Sequence, residues 1–424
     1  MSSCTACAEP IPDSALALDA SSLPLRFVLL LAIAAACAVA NVYYAQPLLD
    51  AMASTFDIDA AAIGLVGTVT LGCYGLGLVL LVPLGDVWQP RRLILGQLLF
   101  AVLALVAIGA APNADVLFAG MAAIGFVSVV AQVIVAFAAN HAAPAQRGRV
   151  VGTVTSGIVL GILLARTLSG ALADLAGWRA VYFVSAALIL AIAVALAKTL
   201  PKSAMRPAQR EAVSTSTSTS YRHLLSSTFM LLASERVLRL RACLAFLQFA
   251  ATMVLWTPMA LALAAPPLAL SHTAIGALGL AGAAGALGAA RAGHLADRGR
   301  AQWVSGAGLA GMLFSWLPTA WGVHSVWALA VGVVVFDFGL QALHVANQSL
   351  IYHVRSGARS RVTAAYMLMY ALGCAGGSIA STAVFARGGW GAVCLLGAGI
   401  NLCALAFWLV VRRHEPADAP RAAS

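Results

Sequence analysis

The chain has 424 residues, 62% of them hydrophobic and only 9% charged, with a mean hydropathy of +0.92. Soluble domains carry about 25% charged residues, so this composition excludes a soluble globular protein and describes a polytopic membrane protein. The formal charge of +10 is spread over short loops between apolar stretches, which makes it an orientation signal rather than a nucleic-acid surface.

Residues 1–24 form a polar tail. Cys4 and Cys7 there have the spacing of a metal or redox pair but no second pair to complete it, while the other six cysteines sit in apolar segments as small hydrophobes. Arg26, the apolar run from Phe27 and Ala38-Val39-Ala40 imitate a secretory leader. The preceding tail, with three acids against one arginine, is the reverse of a leader's basic start.

Windows of about 20 apolar residues predict twelve membrane spans. The first six cover 25–49, 61–85, 92–111, 115–139, 149–172 and 179–198, inside a first bundle of residues 25–200. A polar linker follows at 201–239, with the low-complexity run from Ser214 to Ser220. The second bundle, 240–411, holds spans 240–264, 273–292, 302–320, 324–350, 362–385 and 390–411, and 412–424 form a second tail. Of 25 Lys and Arg residues, 22 fall in the tails or on one side of the spans; Arg179 and Arg387 lie on the other side and Arg166 inside span five. The positive-inside rule puts both termini and the linker in the cytoplasm.

The halves repeat. Asp86 and Asp297 end spans two and eight at an offset of 211; Arg149 and Arg361 open spans five and eleven, and Gly177-Trp178 and Gly389-Trp390 open spans six and twelve, at offsets of 212. Two copies in the same orientation place a transport site at their interface.

Span ten carries Asp337, the one acid of fifteen well inside an apolar segment. A carboxylate there costs roughly 2.5–3.5 kcal/mol and must face protein or a wet cavity. Gln341, His344 and Gln348 lie within about 40° of Asp337 on the same helix face. Arg166 is 17 residues beyond Arg149, about 25 Å along a helix, so these two opposite charges sit at similar depth. Equal depth does not itself make them neighbours; where spans five and ten touch, they either pair in one state and part in another, moving a proton through Asp337 and His344, or form a static ion pair that fixes packing.

The stretch Gly293-His294-Leu295-Ala296-Asp297-Arg298-Gly299-Arg300, the altered copy from Pro83 to Arg92, Asn41-Val42-Tyr43-Tyr44-Ala45-Gln46-Pro47 and Gly161 to Arg166 resemble the major facilitator superfamily. Within it they are most similar to a bacterial branch of drug:proton antiporters and sugar-efflux proteins. Two features depart from that branch: Ala165-Arg166 replaces the usual Gly-Pro of span five, and Gly120-Met121 stands where span four usually has an arginine. The resemblance implies an all-α fold of two parallel six-helix bundles in the bacterial inner membrane. It also implies a cytoplasmic gate of Asp86, Arg91, Arg92, Arg147, Arg149, Asp297, Arg298, Arg300, Arg359 and Arg361. Spans one, four, seven and ten line the cavity in this family, which points to Asn41, Tyr44, Gln46, Gln132, Gln248, Trp256, Gln341, Gln348 and Tyr370 as solute contacts. Amide and aromatic groups with little net charge suit a neutral or amphipathic organic solute better than phosphate, sulfate or a dicarboxylate.

No catalytic set, Walker-type loop or metal-ligand spacing is present, so neither an enzyme nor a cofactor is expected. The function expected is secondary active transport of a small molecule by a monomer, as proton-coupled efflux. An importer and a non-transporting sensor or scaffold of the same fold are the alternatives.

Overall fold

A computed structural model describes residues 23–82, 84–142, 146–201, 230–280, 295–352 and 359–412. All of the regular structure among them is helical. The linker's Ser/Thr run and Cys4 and Cys7 lie outside the described residues.

Span one is helix α1 (Leu25–Ala40), which gives way at Asn41 to a turn and then to a 3-10 segment at Gln46–Leu48 and a short helix at Leu49–Phe56. Pro47 cannot donate the amide that an unbroken helix would need, so the expected continuous span is interrupted. Asp57 ends the short helix with φ 54°, and Asp59 caps the next turn by accepting from Ala62 N at 2.7 Å. The chain continues through α2 (Leu65–Leu80), α3 (Pro90–Gly109), α4 (Ala114–His141, jogged at Ser128-Val129), α5 (Arg147–Ala176) and α6 (Trp178–Thr199). The second bundle has α7 (Arg236–Ala264), α8 (described over 272–280), α9 (Ala301–Phe314) and α10 (Val326–Tyr352). The last helical stretch, Arg359–Val411, reverses at Gly389 into α11 (359–388) and α12 (390–411). All twelve expected spans are represented. Helix direction alternates, so Leu25, Leu200, Arg236 and Arg412 share one end of the molecule, here the near face. Asp57, Gly177, Ser271 and Gly389 share the other, the far face.

The internal repeat is visible in the backbone. Gly177 (φ 81°, ψ 160°) and Gly389 (φ 63°, ψ −161°) hold the same conformation, one that essentially only glycine adopts. Each is followed by a tryptophan that ties its hairpin to a neighbour: Trp178 Nε1 donates to Thr55 Oγ1 at 3.0 Å and Trp390 Nε1 to the Thr319 carbonyl at 2.9 Å. Gly161 of α5 and Gly373 of α11, also 212 apart, abut the backbone carbonyls of Ala36 and Phe246 in the first helix of their own bundle. Such small-residue seams let membrane helices pack where no hydrophobic effect drives them together.

Outward faces are apolar, as lipid requires. Leu29, Ile33, Leu103, Leu168 and Leu395 are exposed around the waist, and Trp303, Trp321 and Trp327 are exposed near helix ends, where indoles suit a membrane interface. The bundles meet along α2–α11 and α5–α8. Gly64 and Gly67 lie against Thr382 and Ser378, and Gly276 against the Arg166 carbonyl.

Candidate functional site between the bundles

The site begins where α1 breaks. The turn after Asn41 brings Tyr43 and Gln46 to the bundle interface, and α5 delivers Arg166 beside them. Arg166 Nε donates to Gln46 Oε1 at 2.6 Å, and the Gln46 amide reaches Met253 Sδ of α7 at 3.7 Å. The guanidinium carbon stands 4.0 Å from the Trp256 ring and 5.1 Å from that of Tyr43, distances at which the ring quadrupole attracts a cation. Asp337 of α10 is 8% exposed, has the Trp256 side chain beside it and lies within electrostatic reach of Arg166. No ion pair within 4.0 Å joins the two charges. A pocket opens beside Arg166, lined by Gln46, Pro47, Trp256, Met259, Ala260 and Ile275.

The bundles also touch through Tyr43 and Tyr370, whose hydroxyls are 2.8 Å apart. Tyr370 stacks edge-on with Phe249 at 4.1 Å, and Phe249 in turn meets His344 at 5.3 Å. Gln348 donates to His344 Nε2 at 3.2 Å, which leaves the ring proton on Nδ1 to meet Tyr366 at 3.0 Å. Gln132 lies beside Tyr74 on the first-bundle side. Gln341 is half-buried beside these groups.

The expected solute contacts therefore divide. Gln46, Trp256 and Tyr370 gather with Arg166 and Asp337, whereas three others sit inside a bundle. Asn41 accepts from Ser185 of α6 at 2.7 Å, with Tyr44 next to the same serine. Gln248 accepts from Asn347 at 3.3 Å, and Thr252 bonds back to the Gln248 carbonyl. A shared helix face is thus no guarantee of a shared environment.

One charge is placed differently from the Lys and Arg count, which left Arg241 outside the spans: it is buried in α7. Arg241 has no exposed surface and donates to Ser305 at 3.1 Å and Asn347 at 3.2 Å within the second bundle. It stands at the edge of the expected span 240–264, whereas α7 starts at Arg236 and so carries it more than a turn into the helix.

At the far face the bundles are clasped. Asp174, in the last turn of α5, takes four donors from the start of α8: His272 N (3.2 Å), His272 Nδ1 (2.7 Å), Thr273 N (2.7 Å) and Thr273 Oγ1 (2.6 Å). Asp50 of the first bundle faces the other ring nitrogen of His272 at 3.2 Å. An acid at a helix C-terminus opposes the helix dipole, and here the amide-rich start of another helix offsets that cost. Sequence reasoning passed over this group, although the misplaced acid was its one visible sign. Nearer mid-depth, Thr167 donates to the Gly276 carbonyl (2.9 Å), Thr68 to that of Ala375 (3.2 Å) and Ser378 to that of Gly64 (3.1 Å).

At the near face, Arg91 donates to the carbonyls of Leu200 (2.7 Å) and Ala197 (2.6 Å), holding the end of α6 within its own bundle. Arg92, Arg149, Arg298 and Arg300 are exposed. The side chains of Asp86, Arg147, Asp297, Arg359 and Arg361 lie outside the described residues.

The sequence matches the Major Facilitator Superfamily over residues 31–291 and 242–424. It is 44% identical over 392 residues to the putative uncharacterized transporter YgaY of Escherichia coli K12, covering 92% of this chain and 97% of that one. It is 30% identical over 374 residues to the probable transporter SCO4007 of Streptomyces coelicolor, covering 87% and 83%. In shape it is similar to an inward-facing bacterial homolog of the human lysosomal transporter Spinster, with a TM-score of 0.76 and 16% identity over 95% of this chain and 100% of that one. Twelve helices in two parallel bundles, the duplicated turns and these matches lead to one conclusion: the chain belongs to the Major Facilitator Superfamily and is a multi-pass membrane transporter, not an enzyme.

Proposed function

We propose that this transporter moves a small organic solute by alternating access of the pocket beside Arg166, coupled to protons through Asp337 and directed outward. The observation that carries this reading is the pair of buried opposite charges, one from each bundle, held close yet apart by Trp256. Rocking of the bundles changes that separation, and with it the cost of keeping Asp337 ionised in a low-dielectric setting. His344, about 10 Å further along α10 toward the near face, serves as the next proton station, held by Tyr366 and Gln348. The exposed near-face arginines, with Asp86 and Asp297, form the gate on that side, while the Asp174–His272 clasp forms the opposing one.

The distribution of Lys and Arg supports a cytoplasmic near face, with both termini inside a bacterial inner membrane. The motif stretches from Asn41 to Pro47 and Gly293 to Arg300 support the drug:proton antiporter and sugar-efflux branch, and the reading is of a monomer.

The test is solute-dependent proton movement in proteoliposomes containing a pH dye, run against a panel of organic solutes. Proton release that needs both solute and protein supports coupling. Saturable solute binding without any flux, across the panel and in both gradient directions, would instead identify a sensor.

A further inference from the structure

Arg166 has five N–H donors, and the protein uses one edge of it. Its Nε is engaged by Gln46, while neither terminal amino group has a hydrogen-bond partner among the described residues, although the residue is 6% exposed. The terminal nitrogens are not among the fully buried atoms that lack a partner, so they keep an open side. The group is among the residues lining the interbundle pocket. Asp337 is close enough to be felt but makes no ion pair with it.

The surroundings narrow what would satisfy these donors. The guanidinium carbon lies over the rings of Trp256 and Tyr43, and its two unbonded terminal amino groups form a fork that matches two oxygens in one plane. The other pocket walls, Pro47, Met259, Ala260 and Ile275, are apolar, and since the pocket as it stands holds little more than a water, a solute body enters only when the bundles part. One cation matches one negative charge, and a doubly charged phosphate or dicarboxylate would leave a charge unpaired against aliphatic walls.

We propose that Arg166 is the receptor for the carboxylate of the solute, and that the solute class is organic monocarboxylates with an apolar or aromatic body. Asp337 and the solute are then alternative neighbours of one guanidinium, one within electrostatic reach and the other bonded to its free edge. That the bound carboxylate is also carried across the membrane rests on the transport reading above; that it binds does not.

The experiment uses the purified full-length protein in nanodiscs, with benzoate and hexanoate each set against its neutral amide, benzamide and hexanamide, at matched ionic strength. Thermal unfolding and tryptophan fluorescence are recorded for the native protein, Arg166→Gln and Arg166→Lys. Expected is saturable stabilisation by at least one carboxylate and not by its amide. Affinity falls by about tenfold to a hundredfold in Arg166→Gln, the range for losing a charged hydrogen bond, and by less in Arg166→Lys, which keeps the charge without the fork. The proposal is overturned if neither carboxylate outbinds its amide in the native protein, or if either folded variant binds as tightly as the native. Carboxylate binding without pH-driven flux leaves this inference standing and removes the transport reading. Flux of a neutral or cationic solute that is indifferent to Arg166→Gln does the opposite.

Discussion

Arg166 and Asp337 meet through the indole of Trp256, not through each other. The guanidinium carbon stands 4.0 Å from the centre of the ring, and the same side chain lies beside the carboxylate. A direct pair at this depth would be stable enough to arrest the bundles, whereas an intervening ring keeps both charges attracted but exchangeable.

Replacing the separator tests that relationship. Trp256→Ala is expected to let Arg166 and Asp337 close into a direct pair and to lower flux by about tenfold or more, a barrier increase of roughly 1.4 kcal/mol. Trp256→Phe keeps the ring face but loses the N–H and is expected to fall between Trp256→Ala and the native protein. Flux in proteoliposomes is the readout, and equal flux in all three proteins removes the separator role.

Neutralising the acid separates coupling from passage. Asp337→Asn is expected to abolish accumulation driven by a pH gradient while solute exchange at equal pH on both sides persists. Accumulation that survives with its pH dependence intact takes Asp337 out of the coupling step.

The far-face clasp makes a prediction about conformation. Asp174→Asn and His272→Asn each weaken charge-assisted hydrogen bonds worth about 1 kcal/mol apiece after allowance for partial exposure. Amide hydrogen exchange is expected to rise in segments 46–56 and 265–280 and to stay unchanged in α3. A uniform rise would point to general loosening instead.

Twin substitutions address the repeat. Gly161→Val and Gly373→Val each push a side chain into a backbone carbonyl of the first helix of their bundle. Each is expected to cost about 2–3 kcal/mol, read as a similar drop in unfolding temperature in detergent.

Arg241 gives the last contrast. Truncating a fully buried cation leaves its acceptors, Ser305 and Asn347, unpaired, so Arg241→Ala is expected to destabilise by about 3 kcal/mol or more. Arg241→Met, which fills the volume, is expected to be milder, and unfolding midpoints of the two variants decide it.

Much of the architecture is legible in the sequence because lipid forces it. Span length, the Lys and Arg bias and the 212-residue offset together define twelve helices in two copies, and the two Gly-Trp turns fall where the repeat puts them. The depths of Arg166 and Asp337 follow from helical rise alone. Hydropathy is blind to what depends on partners from distant spans. Asn41 and Gln248 look like cavity groups along their own helices, but Ser185 and Asn347 hold them inside the bundles. Arg241 looks like a linker charge because it stands at the first turn of its apolar span, and only Ser305 and Asn347, from other helices, show that it is buried. The clasp was hidden for the same reason, since Asp50, Asp174 and His272 come together only once the bundles are docked.

Asp174 holds four donors that all sit on two adjoining residues. They cannot be released one by one along a zipper, because any tilt that frees Thr273 must also free His272. Separation at that end is therefore a threshold event, and partly parted states should be short-lived. Under the transport reading proposed above, a solute in the pocket would meet a door that is either shut or open, as a carrier needs if it is not to leak like a channel.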